Sequence, residues 1–257
     1  MEDLLGLRDR VAIVVGAGRG IGRSSALLLA RAGCHVALVD IDDAQAEALA
    51  EEVRDVGREA VALHADVTVM DEASDAIARS VEALGRVDVL ANIVGQSTWA
   101  PLLEMEASAW HDDLRDNLVQ HFNMARPAAA RMIEQGDGGS IVSIASVSGL
   151  FAAPRHAAYG AAKAGLVALV KSMAHEWAQH QIRVNAVAPG GVLTERFQAL
   201  IDAGTANPDA ETLARLADPD DIGGAVLMLS SALARKVTGQ TLVVYGGSST
   251  ASPFGIS

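Results

Sequence analysis

The chain has 257 residues and a formal net charge of -12 at pH 7, a balance that argues against a nucleic-acid partner. Hydrophobic residues make up 50% of it but aromatic residues only 4%, so the core is aliphatic, as in a parallel sheet buried on both faces. The single cysteine, Cys34, rules out an intrachain disulfide and sits in no metal or redox motif, so a buried core thiol is expected.

The opening MEDLLGLRDR has no apolar run behind positive charge, so no secretory signal is expected. No run reaches the length of a membrane span. A cytoplasmic protein without a membrane partner is the expectation. The length suits one large α/β domain, and no internal repeat or low-complexity linker divides it.

Val11 to Val15 is a short apolar run that predicts a first strand. It leads into GAGRGIGRSSALLLARAG, where Gly16, Gly20 and Gly22 form a G-x-x-x-G-x-G turn ahead of a helix. Strand, glycine turn and helix N-terminus together make a phosphate cradle, with backbone N–H groups and the helix dipole facing the anion. The commoner G-x-G-x-x-G spacing fails here. His35 to Val39 predicts the second strand, closed by Asp40, twenty residues after Gly20. A carboxylate at that distance meets an adenosine ribose, accepts from its 2′-hydroxyl and repels a 2′-phosphate. The plainer alternatives for Asp40 are a solvated strand end or a cap for the helix that follows.

Ala44 to Val56 predicts a polar helix, Ala60 to Ala65 a third strand ending at Asp66 and Val67, and Asp71 to Leu84 another helix. Val87 to Asn92 predicts a fourth strand, followed by Ile93, Val94 and Gly95. This β-α-β-α-β-α-β alternation argues for a parallel sheet with right-handed crossovers. Glu106 to Gln135 is expected as one long helix carrying Asn117, whose plain alternative is a solvent-facing polar residue.

Ile141 to Ile144 is β-branched and apolar, with Ser146 just past its end. A loop through Pro154 and Arg155 leads to a long Ala- and Leu-rich helix. On it Tyr159 and Lys163 stand four residues apart, hence on one face. A free tyrosine has a pKa near ~10, and lowering it to ~7 takes roughly 4 kcal/mol of preferential phenolate stabilisation. An ammonium ~5 Å away supplies about 3 kcal/mol at an effective dielectric of ~20, and a cationic nicotinamide ring could add the rest. Tyr159 is then a general acid or base near neutral pH, and Ser146 can hydrogen-bond the reacting oxygen.

Ile182 to Ala188 predicts a sixth strand, followed by Pro189, Gly190, Gly191, Val192, Leu193 and Thr194. The stretch from about 193 to 217 is broken by Gly204, Asn207 and Pro208 and is expected as a lid. Asp218, Pro219, Asp220 and Asp221 open a last helix, since Pro near N1 and acids in the first turn suit a helix start. Gln240 to Tyr245 predicts the last strand. The histidines His175 and His180 miss the zinc-protease spacing by one residue, which puts them about 140° apart on a helix. No G-x-S-x-G elbow appears, and no metal site is expected.

From about Leu7 to Gly247 the chain resembles the short-chain dehydrogenase/reductase family. Gly16, Gly20 and Gly22 match its dinucleotide turn, with Arg19 and Ile21 inside that turn. Asp66-Val67 matches its adenine-contacting pair, and Asn92 to Gly95 its Asn-Asn-Ala-Gly strand end. Asn117, Ser146, Tyr159 and Lys163 match its catalytic tetrad, and Pro189, Gly190, Val192 and Thr194 the segment over the nicotinamide.

The resemblance implies a Rossmann-type doubly wound α/β/α sandwich of about seven strands. Its implied activity is NAD(H)-dependent interconversion of a secondary alcohol and a ketone, in a homotetramer built on the long helices, where the small residues Ala161, Ala162, Ala168 and Ala174 would allow close helix approach and the apolar Pro253 to Ile256 would add contacts. It implies Tyr159 as proton donor or acceptor, Ser146 positioning the substrate oxygen, Lys163 lowering the tyrosine pKa and holding the nicotinamide ribose, and Asn117 supporting a proton-relaying water. Val15, Ile93 and Val94 depart from the family's Thr, Asn and Ala.

NAD is expected over NADP because of Asp40, although Arg19 is a residue type used against a 2′-phosphate. The small-molecule substrate is expected to meet Gln96, Ser148, Leu150, Phe151, His156, Gly191 and Phe197, a mainly apolar pocket. An enoyl reductase is disfavoured by the Tyr-to-Lys spacing, and an epimerase by the lack of a longer C-terminal region. A dinucleotide-binding sensor without turnover is the alternative from another class.

Overall fold

A computed structural model describes residues 3–204 and 207–246. Seven strands form one parallel sheet: β1 (Val11–Val15), β2 (His35–Asp40), β3 (Ala60–His64), β4 (Val89–Asn92), β5 (Gly139–Ile144), β6 (Ile182–Pro189) and β7 (Thr241–Val244). Their spatial order is β3-β2-β1-β4-β5-β6-β7. The order reverses between β1 and β4, which leaves a crevice beyond the carboxyl ends of those two strands.

The helices are α1 (Gly20–Arg31), α2 (Asp43–Asp55), α3 (Met70–Leu84), α4 (Ala107–Leu114), α5 (Gln120–Gln135), α6 (Ala157–Trp177), α7 (Glu195–Asp202), α8 (Ala210–Ala214) and α9 (Pro219–Ser230). Side chains alternate across each strand, so β1 sends Ile13 and Val15 to one face and Ala12 and Val14 to the other. The first face packs on α3, α5 and α6 through Ile77, Met124, Leu166 and Val170. The second packs on α1, α2 and α9 through Leu29, Leu49, Ile222 and Val226. Cys34 lies in this second core, fully buried, and burial pushes its thiol up to about 12.

The stops and starts follow local chemistry. The Asp42 carboxylate caps α2 by accepting from Gln45 N at 3.1 Å, and Asp218 and Asp221 close a capping box on α9 with Pro219 at its first turn. Gly85 and Gly136 end α3 and α5 in the left-handed conformation.

The expected single helix over 106–135 is a continuous run interrupted by a π-helical turn, Arg115–Val119, a feature frequent at functional sites. Among the described residues, the stretch from 193 to 217 holds two short helices, α7 and α8, and a parallel bridge joins Val192 to Ala217 across its ends. Of the small residues expected to ease helix contact between subunits, Ala162 and Ala174 are buried in the core, whereas Ala161 and Ala168 face outward. The C-terminal Pro253 to Ile256, expected to join such contacts, lies outside the described residues. Among the described residues no helix is long and apolar enough to cross a membrane.

Leu166 on α6 is fully buried against the sheet. Replacing it by Ala is expected to cost about 2–5 kcal/mol, measured as a lowered urea midpoint. A loss under about 1 kcal/mol would show that α6 does not seat there.

Candidate active site

Tyr159 and Lys163 lie on α6 with the Lys163 ammonium 5.5 Å from the centre of the Tyr159 ring. Lys163 is 1% exposed and its Nζ donates to the Ile144 carbonyl at 2.8 Å, which ties α6 to the end of β5. Ser146, two residues on, has extended backbone, and its hydroxyl accepts from Ser148 N at 3.1 Å. The short turn 147–149 is pressed against α6: a Cβ on Gly149 would stand 2.6 Å from the Lys163 carbonyl carbon, and one on Gly160 would stand 2.8 Å from the Ser148 oxygen. Those two glycines let strand end and helix approach closely enough for Ser146 to hydrogen-bond the Tyr159 phenol.

Asn117 sits in the π-helical turn and is fully buried, not solvent-facing. Its amide donates to the Gln96 carbonyl at 2.6 Å and the Asp113 carbonyl at 2.9 Å. Its Oδ1 has no partner among the described residues. A Cβ on Gly95 would lie 2.9 Å from that Oδ1 and 3.2 Å from Lys163 Nζ. Asn117, Gly95 and Lys163 therefore enclose one small polar space.

The electrostatics differ from the expectation that the ammonium supplies most of the shift that brings the phenol near neutrality. Burial pushes Tyr159 up to about 12, against the opposing pull of the Ser146 hydrogen bond. Burial pushes Lys163 down to about 7. Both shifts share their largest cause, since burial disfavours whichever form is charged, and the Asp113 charge adds to the rise at Tyr159. A further positive charge beside the phenol, such as that of an oxidised nicotinamide ring, acts in the direction that lowers its pKa.

The glycine turn follows β1 and lies against Val94 and Thr194. Gly16 and Gly20 take positive φ, +73° and +53°, where a side chain is strained. A Cβ on Gly22 would run into the Gly16 carbonyl. Val94 packs on the turn, 2.9 Å from the Cβ position of Gly16, so this departure fills space beside the turn. Arg19 is exposed at the start of α1, and Ile21 turns into the second core.

Asp40 is half-buried at the end of β2. One of its oxygens accepts from Gly18 N at 2.8 Å and the other from Asp42 N at 3.0 Å. It therefore anchors the turn and also serves the helix start. Each carboxylate oxygen keeps a further lone pair for a ribose hydroxyl. The turn with its helix N-terminus, the free acceptor capacity of Asp40 and the unspent donors of Lys163 fit a dinucleotide.

The loops that carry the remaining expected contacts are braced by local hydrogen bonds. Asp66 accepts from Thr68 N at 2.9 Å, and Asn123 donates to the Val67 carbonyl at 3.1 Å, fixing that loop. Asn92 donates to Gln120 at 2.9 Å, and Gln120 donates to the Val94 carbonyl at 3.0 Å. Gly190 N donates to the Val244 carbonyl at 2.9 Å after Pro189, and Gly191 lies against Leu216. Thr194 caps α7, with Phe197 N donating to its hydroxyl at 3.3 Å, and its methyl lies 3.3 Å from the Cβ position of Gly20. Val192 packs on the second core. Gln96, Leu150 and Phe151 are exposed, and Ser148, Gly191 and Phe197 are half-buried.

Sequence reasoning missed several supports. Gln120 and Asn123 brace the loops after β4 and β3; their signal was two more polar residues within two turns of Asn117. Asp113 is 3% exposed, is pushed up by burial, and accepts from Thr98 N at 3.1 Å. Trp99 stacks on His156, which stacks on Tyr159; the signal for Trp99 was a rare aromatic seven residues past Asn92. His121 is fully buried and held well below its usual pKa by burial and by the Lys163 charge. His175 and His180 are exposed.

Residues 16–249 match a family profile described as "Enoyl-(Acyl carrier protein) reductase". The chain is 38% identical to an Azotobacter vinelandii L-rhamnose 1-dehydrogenase (NAD(P)(+)), over 94% of this chain and 97% of that one. It is also 38% identical to a Streptomyces virginiae A-factor type gamma-butyrolactone 1'-reductase, over 96% and 98%. Among solved structures, a 7 alpha-hydroxysteroid dehydrogenase complexed with NADH and 7-oxo glycochenodeoxycholic acid superposes with a TM-score of 0.89 at 32% identity, covering 95% of this chain and 96% of that one. The chain belongs to the short-chain dehydrogenase/reductase family. It is an oxidoreductase that interconverts an alcohol and a carbonyl with a nicotinamide cofactor.

Because Gly95 leaves no room for a side chain between Asn117 and Lys163, Gly95→Ala should displace one of them. A loss of about 10–100-fold in kcat, with a nearly unchanged melting temperature, is expected. Wild-type kcat in that variant would show that this space plays no part in turnover.

Proposed function

We propose that the protein is an NAD(H)-dependent oxidoreductase of secondary alcohols and ketones, with Tyr159 as the general acid or base. The observation that carries this reading is the half-buried Tyr159 beside the buried Lys163, with the Ser146 hydroxyl on the same phenol. Hydride transfer is the chemistry that a bound nicotinamide supplies.

In the reducing direction Tyr159 gives its hydroxyl proton to the nascent alkoxide, and Ser146 holds that oxygen by a hydrogen bond. Lys163 stabilises the phenolate that results, and its remaining donors are placed for the hydroxyls of the nicotinamide ribose. The unpartnered Oδ1 of Asn117 beside Lys163 Nζ suits a water that passes protons between the ammonium and solvent.

In the same reading Gly16, Arg19, Gly20, Ile21 and Gly22 hold the pyrophosphate, with Asp66, Val67, Asn92 and Gly95 along the adenosine and nicotinamide path. Pro189, Gly190, Val192 and Thr194 cover the nicotinamide, and residues 193 to 217 act as the lid of a single domain. The substrate meets Gln96, Ser148, Leu150, Phe151, His156, Gly191 and Phe197.

Asp40 sets the choice of NAD over NADP. A carboxylate ~4 Å from a 2′-phosphate is repelled by about 4 kcal/mol per charge pair at an effective dielectric of ~20. Arg19 is exposed, so its compensating attraction is screened. A homotetramer and a cytoplasmic setting complete the proposal. Val119 and Phe122 stand 45% and 42% exposed near the start of α5, as a covered helix face would, and the lone Cys34 is a free buried thiol.

Tyr159→Phe is expected to keep NADH binding and lose about 10²–10⁴-fold in turnover; near-normal turnover would refute the assignment. Wild type should prefer NAD by at least ~100-fold in kcat/KM, and Asp40→Ser should narrow that gap by improving NADP use. Equal use of both cofactors by the wild type would hand the choice to Arg19. Light scattering at micromolar concentration should report four copies, and a monomer would contradict the assembly.

A further inference from the structure

His156 closes one side of the catalytic tyrosine. Its ring lies 4.3 Å from the Tyr159 ring, nearly parallel at 13°, and Trp99 covers its other face at 4.0 Å and 17°. Three rings thus form one stack that ends on the phenol. The stack is held from both sides. Asp113 accepts from Thr98 N and fixes the loop that carries Trp99, and Ala100 N donates to the Arg155 carbonyl at 2.9 Å, joining that loop to the residue before His156.

The polar edge of this imidazole is unexplained by the fold. His156 is 5% exposed, and neither Nδ1 nor Nε2 has a hydrogen-bond partner among the described residues. Buried polar groups are ordinarily paired, and leaving them unpaired is costly. Burial pushes His156 down to about 4, so at neutral pH one nitrogen donates and the other accepts. If stacking were its only task, a Phe would do it without orphaned nitrogens.

We propose that His156 is the specificity-determining residue of this enzyme and that it hydrogen-bonds a second oxygen of the substrate. The substrate class that follows is a ketone bearing a hydroxyl next to the reacting carbonyl, or the corresponding vicinal diol. The inference rests on the proposed placement of the reacting oxygen at Tyr159 and Ser146. Stacking sets the imidazole one ring spacing from the phenol, so the two contacts are matched to oxygens on adjacent carbons. A hydroxyl fits better than a carbonyl or ether oxygen because it both donates and accepts, and so serves either nitrogen. Trp99, Leu150 and Phe151, each partly exposed, leave an apolar surround for the rest of the molecule.

The test compares kcat/KM for ketones and their hydroxy derivatives: acetone with hydroxyacetone, butanone with acetoin, acetophenone with hydroxyacetophenone. Wild type should favour the hydroxyketone in each pair it reduces. His156→Phe, which keeps the stack, should lower the hydroxyketone-to-ketone ratio by about 10–100-fold, chiefly through KM. His156→Gln, which keeps a donor and an acceptor, should restore part of it.

The inference is overturned if wild type favours the plain ketones, if it reduces no hydroxyketone in the panel, or if the Phe and Gln variants give the same ratio. Turnover surviving in Tyr159→Phe would overturn the underlying placement instead, and the wild-type preference, which needs no variant, stands apart from any folding defect.

Discussion

A lysine ammonium held out of water by one carbonyl is the constraint on which this site depends. Lys163 spends one proton on Ile144 and is otherwise enclosed by Gly95, Asn117 and the Tyr159 ring. Burying a charge is expensive unless it is paired, so the surroundings are arranged to limit that cost. The π-helical turn delivers Asn117 beside it, Gly95 keeps the space open, and Gly149 lets the turn after β5 close down on α6. The same dryness leaves the phenol reluctant to ionise, so an additional charge changes its state strongly.

The sheet supplies the frame. Its order reverses between β1 and β4, and the segments following those strands, the glycine turn and Asn92 to Gly95, meet at that point through Gly16 and Val94. Asp40 joins the second strand to the same turn through Gly18. The carboxylate proposed to set cofactor choice therefore also holds the turn, so changing it loosens the turn.

Much of this was legible in the sequence. Aliphatic runs of four to seven residues between amphipathic helices predicted the strands, and the order of Gly16, Asp40, Asn117, Ser146, Tyr159 and Lys163 suggested the axis of the candidate site. What was not legible depends on three-dimensional burial. The sign of the Tyr159 shift could not be read from spacing, because proximity to Lys163 lowers the pKa and desolvation raises it, and only the fold says which wins. The π-helical turn has no periodicity of its own in a short window. The Trp99–His156–Tyr159 stack joins two loops more than fifty positions apart. Ala162 and Ala174 looked available for subunit contact until the helix phase turned them into the core.

The central claim is that this dry pocket keeps Tyr159 protonated until a positive charge arrives beside it. The chain has two tyrosines, Tyr159 and Tyr245, so ultraviolet difference spectra of wild type against Tyr159→Phe isolate the phenol. The account predicts no Tyr159 ionisation up to about pH 10 in the cofactor-free protein, and ionisation shifted several units toward neutrality with NAD⁺ bound. A phenol that ionises near neutral pH without cofactor, or one that NAD⁺ leaves unmoved, would contradict it.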